Sequence, residues 1–141
     1  MKRDQIIRII QKRLALDASE FHAIENNPRF QRLFDNALAA SRYRLVAEVI
    51  ESRGCHSGHT VGQRIIFDST GNLLTREAPE RVCSFLLPNL LLLVNVFFEN
   101  LMSGRDPNEV IFNRTGCFDV GPARGGWGHV VMEMRAVKQE T

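Results

Sequence analysis

The stretch "YRLVAEVIES", residues 43–52, decides the fold, because the hydrophobic period changes here. Leu45 or Val46 alternates with polar neighbours and β-branched residues are frequent, which predicts a strand. Before it the period is helical. In "RDQIIRIIQKRLAL", Ile6, Ile9, Ile10 and Leu14 recur at helical spacing with charges between them. Asp17 and Ser19 offer a new cap, and after "NNP" the run "RFQRLFDNALAAS" repeats the pattern through Phe30, Phe34 and Leu38. Residues 1–42 therefore read as an N-terminal extension of two or three helices.

Beyond residue 52, "VGQRIIFDSTGNLL" predicts a second strand that ends in a turn at 69–72, where Gly71 supplies positive φ. Residues 43–75 then form a hairpin interrupted by the loop "RGCHSGHTVG", residues 53–62. The segment "REAPERVCSFLLPNLLLLVNVFFENLMSG" returns to helix, with Pro79 near its start and Gly104 near its end. Asn89, Asn95, Glu99 and Asn100 fall on one stripe, so the rest of the helix is expected to be largely buried. Pro88 should kink this helix or mark a break in it. "EVIFN", residues 109–113, and "HVVMEMRAV", with Val130, Met132 and Met134 alternating, are expected to be strands. The fold class is α+β: N-terminal helices, then a small antiparallel sheet packed on one long apolar helix, with residues 43–141 as the core of a single compact domain.

Composition limits the function. A chain of 141 residues can bury a core without staples, so a metal or disulfide is optional for stability. The proportions, 44% hydrophobic and 24% charged, are those of an ordinary globular protein. A net charge of +2 argues against a nucleic-acid binder, and Lys2, Arg3, Lys12 and Arg13 are interrupted by Asp4, Asp17 and Glu20. The apolar run around Pro88 is too short and too interrupted for a membrane span. There is no continuous apolar signal segment, and three widely spaced cysteines do not make a disulfide framework, so a reducing cytoplasm is expected.

Those cysteines carry the chemistry. Cys55 sits in the first glycine-rich loop, Cys83 in the first turns of the apolar helix and Cys117 in the last long loop beside Asp119. If the loops share one end of the sheet, three thiolates plus His59 or His56 make a set suited to Zn2+ or another soft-ligand metal. Asp119 is an alternative oxygen ligand or an acceptor that orients an imidazole. A second reading makes Cys83 a reactive thiol at a helix N-terminus, and a third makes it a small core residue. The loop "GPARGGWGH" invites an anion-cradle reading, with Arg124 as cation and a pocket shared with Trp127. It lacks the lysine and the following helix of a P-loop, and no nucleotide motif appears elsewhere. His22 and His129 read as ordinary surface or packed histidines.

Residues 43–138 resemble an uncharacterised family of short bacterial and archaeal proteins frequent in anaerobes. The resemblance is carried by "CHSGHTVG", "RVCSFLLPNL" and "GCFDVG", in that order. It implies a shared three-cysteine core and no particular reaction. On these readings the chain is expected to be a small cytoplasmic metal-binding protein. Cys55, Cys83, Cys117 and His59 are its expected ligands, and its catalytic status is open. The alternatives are an auxiliary subunit of a larger anaerobic enzyme, or a thiol-dependent enzyme. The amphipathic N-terminal helices are expected to serve a homo-oligomer or a protein partner.

Overall fold

The computed structural model describes residues 3–140. Three helices, α1 (Arg3–Leu14), α2 (Ala18–Glu25) and α3 (Pro28–Ala40), precede strands β1 (Tyr43–Arg53) and β2 (Arg64–Asp68). Helix α4 (Leu87–Met102), strand β3 (Arg114–Gly116) and strand β4 (His129–Lys138) complete the chain. The sheet is antiparallel throughout, in the order β2-β1-β4-β3. This is an α+β fold.

The start signals at the N-terminus act as written. Asp17 accepts from the backbone N–H groups of Ser19 and Glu20, while the Glu20 side chain accepts from the Asp17 N–H, a reciprocal capping box. Asn27 caps α3, with Pro28 in its first turn.

One face of the sheet forms the core. Leu45, Ala47 and Val49 of β1, Ile65 and Phe67 of β2, and Val130, Met132, Met134 and Ala136 of β4 pack with Leu90, Leu93, Val94, Phe97 and Leu101 of α4. The opposite face is charged: Glu48 accepts from Arg64 and Arg135, each at 2.9 Å, and Arg114 pairs with Glu133. The two arginines hold the Glu48 carboxyl below the usual carboxylate range, Arg135 contributing most. Helix α3 lies against α4, where Asn36 donates to the Met102 carbonyl and Ala40 enters the core.

Helix α4 differs from expectation at its start. It begins at Leu87, not near Pro79, and Pro88 sits in its first turn instead of kinking its middle. Proline is tolerated there because its missing N–H would have had no partner within the helix. Ahead of it, the Cys83 carbonyl accepts from Leu86 and Leu87, and the Phe85 carbonyl accepts from Phe118. Cys83 therefore stands in a turn leading into the helix. The helix ends in a Schellman motif, with Gly104 N–H on Leu101 and Arg105 N–H on Asn100. Only one face of α4 is buried, and Leu91, Leu92 and Val96 are exposed.

The expected strand at 109–113 is absent, and the short β3 follows it at 114–116. Side chains replace the ladder: the Asn108 amide donates to the Ala136 carbonyl and accepts from the Ala136 N–H. Asn113 bonds Met134 through its backbone carbonyl and its side-chain amide. The segment between them is free to bow outward, leaving Ile111 and Phe112 91% and 81% exposed.

Candidate functional site

Cys55 from the loop after β1, Cys83 from the turn before α4 and Cys117 from the loop after β3 line one small cavity of about 20 Å³, together with His56, His59, Asp119 and His129. All three are free thiols of intermediate exposure.

Close backbone approach makes this possible. A Cβ on Gly128 would stand 2.4 Å from the Gly54 carbonyl oxygen, and one on Gly54 would stand 3.1 Å from that of Trp127. These glycines let the Cys55 loop and the end of the Cys117 loop lie against each other. Asn89 in the first turn of α4 donates to the Gly116 carbonyl at 2.8 Å, which fixes the helix to the residue before Cys117.

Two of the sulfurs receive backbone hydrogen bonds. The Phe85 N–H donates to Cys83 Sγ and the Val130 N–H to Cys117 Sγ, both at 3.4 Å.

The histidines fall into distinct roles. His59, 2% exposed, accepts the Cys83 N–H at Nε2, which fixes its tautomer, and donates from Nδ1 to Gln63 Oε1 at 2.7 Å. Expected as the fourth ligand, it has both ring nitrogens engaged and instead holds Cys83 in place. His129, expected to be an ordinary histidine, lines the cavity. Its Nδ1 lies 3.0 Å from the Asp119 carbonyl oxygen and donates to it, which in the neutral ring puts the lone pair on Nε2. His56 stands at the rim, its ring edge-on to Trp127.

Asp119 is not a spare oxygen donor. Its carboxylate accepts from the N–H groups of Gly121, Trp127 and Gly128 at 2.9–3.2 Å. The Gly121 bond foremost, then those of Gly128 and Trp127 and the nearby His56, hold its carboxyl below the usual carboxylate range. The glycine-rich loop thus cradles an anion, and the anion is its own aspartate. A Cβ on Gly126 would come within 2.0 Å of Asp119 Oδ1, so no other residue fits that loop as it stands.

Arg124 and Trp127, expected to share a pocket, line different cavities. Arg124 faces one of about 530 Å³ with Arg53, Glu51 and His129, whereas Trp127 faces one of about 560 Å³ with His56, Phe85 and Phe118. His22 lies on α2, bonded to Asn26 and outside the thiol cavity.

The thiols share a lining without forming a preassembled ligand set. Among the described residues, no group of three or more His, Cys, Asp or Glu side chains has the arrangement of a metal site. Among them also, no helix is long and apolar enough to cross a membrane. Comparison of the chain with protein-family models, curated proteins and solved structures finds no match.

Sequence reasoning missed His129, Phe85 and Phe118. A usable signal for the two phenylalanines was their spacing, one directly after Cys117 and one two residues after Cys83. Nothing in the sequence marked His129.

Proposed function

We propose that the protein is a small metal-binding protein whose three cysteines take a soft-ligand ion such as Zn2+. The observation that carries this reading is the shared cavity: Cys55, Cys83 and Cys117, distant in the chain, line a space about the size of one water-sized sphere. Soft thiolate donors suit such an ion. His129 is the better fourth donor, because Nε2 is left over after its bond to the Asp119 carbonyl. Three free thiols are in keeping with a reducing cytoplasm.

If the bound ion keeps an exchangeable position, it supplies Lewis-acid chemistry; with four protein ligands it is structural. The chain's own part is to hold the thiols. His59 grips the Cys83 backbone, Asn89 ties down the Cys117 loop, and Asp119 orders the turn that carries His129.

The test is elemental analysis of anaerobically purified protein with thiol counting before and after a chelator. About one metal per chain, with thiols released on chelation, is expected. Cys55→Ser, Cys83→Ser and Cys117→Ser should each lower the metal content, and unchanged content in all three defeats the proposal. Cobalt substitution then reads the open position, because an added anion shifts the visible spectrum only where a site is exchangeable.

A second reading, an interaction subunit, draws on the exposed Leu91, Leu92 and Val96 of α4 and on Ile9 and Leu14 of α1. Metal-free protein, with thiols unreactive until unfolding and a mass by light scattering above one chain, would favour it.

A further inference from the structure

Outside the thiol cavity stands a second concave site built from aromatic rings. Trp127 meets His56 edge-on with centroids 5.7 Å apart; His56 lies 6.3 Å from Phe85, and Phe85 lies 6.4 Å from Phe118. The four rings form a continuous arc around a cavity of about 560 Å³. That volume is in the range of small-molecule sites. His56, Phe85 and Asp119 line both this cavity and the thiol cavity, so the two adjoin.

We infer that this cup, which adjoins the thiol cavity, binds a flat aromatic molecule that carries no negative charge. Three observations select that occupant. The rings offer faces and edges at spacings that suit aromatic packing, which rewards a planar partner over a globular apolar one. Polar recognition is scarce, since the one carboxylate in the lining, Asp119, has its oxygens engaged by the N–H groups of Gly121, Trp127 and Gly128. Its negative charge disfavours an anion.

The cup is also held in shape before any ligand arrives. Trp127 is 73% exposed and Phe118 79% exposed, yet neither ring stands on a loose loop. The Trp127 N–H is bound by Asp119, and the Phe118 N–H donates to the Phe85 carbonyl at 2.8 Å. A fixed backbone under exposed rings leaves only their rotamers to be ordered on binding. The inference does not depend on a metal.

Trp127 is the chain's only tryptophan, so its emission reads the cup directly. The experiment titrates the full chain with 2-naphthol, before and after chelator treatment, and then displaces it with phenol, cyclohexanol or tetramethylammonium. Saturable quenching is expected in both preparations, with phenol displacing about tenfold better than cyclohexanol. Phe118→Ala should weaken 2-naphthol binding by about tenfold, Phe118→Tyr should restore it, and Ile111→Ala, at a still more exposed position outside the cup, should leave it unchanged. Linear, non-saturating quenching or full-strength binding by Phe118→Ala overturns the inference. Tetramethylammonium displacing better than phenol overturns it in favour of a cation cage. A dimer by light scattering that Phe118→Ala dissolves overturns it in favour of a second copy of the chain. Absence of metal leaves the expected binding in place, so failure of the metal proposal and failure of this one give different results.

Discussion

His59 shows how much one side chain decides at this site. A buried imidazole that accepts the Cys83 N–H and donates to Gln63 is a bracket between two loops, and its loss strands two polar groups. His59→Phe should therefore cost about 2–4 kcal/mol of stability in urea denaturation, with chelator present throughout. A ligand role alone would leave the metal-free protein unaffected. Asp119 makes a matching case for charge. Its carboxyl is held below the ordinary carboxylate range, so its contribution is fully present above the unfolded value and is lost as pH falls through the folded one. The part of the acid change in Trp127 emission that belongs to Asp119 should fall below the ordinary carboxylate range. Asp119→Asn, which turns two N–H groups toward N–H donors, should shift that emission already at neutral pH and flatten the acid limb.

At the scale of elements, the sheet owes its fourth position to side chains as much as to backbone. Before β3 pairs for only three residues, Asn108 and Asn113 bond the outer edge of β4 in place of a strand. Asn108→Ala removes two bonds to Ala136 and should cost about 1–2 kcal/mol, read by denaturation, with faster amide exchange at Ala136. The alternation of β4 was legible because one face is buried and the other is not, and α3 likewise buries Phe34 and Ala40, whereas of the α1 pattern only Ile6 is buried and Ile9 and Leu14 stay exposed. The extent of α4 was not legible. Residues 79–86 are apolar enough to continue a helix, but their carbonyls serve the turn at Cys83 and the loop at Phe118, which local sequence does not record.

For the molecule as a whole, the N-terminal helices are part of the core as well as an outer layer. Phe34 is 1% exposed, Ala40 joins the sheet-facing cluster, and Gly104 leaves room for Asn36 of α3 beside the end of α4. Deleting residues 1–40 should accordingly cost at least about 3 kcal/mol, seen as a lower urea midpoint and as dye binding to the uncovered side of α4. A chain in which that deletion keeps its stability would contradict the packing of α3 on α4.

The sequence by itself determined the periods, the caps, the turn at Gly71 and the three cysteines with their glycine-bounded loops, because each rests on neighbours within a few residues. It also marked Cys55, Cys83 and Cys117 as the residues to watch. Tertiary structure alone decided that they share one cavity, that His59 serves the Cys83 backbone while His129 lines the cavity, and that Arg124 and Trp127 part company. Those outcomes depend on which loops meet at one end of the sheet. The register of β1 with β4 and the contact of Gly54 with Gly128 set that meeting, and both join residues far apart in the chain.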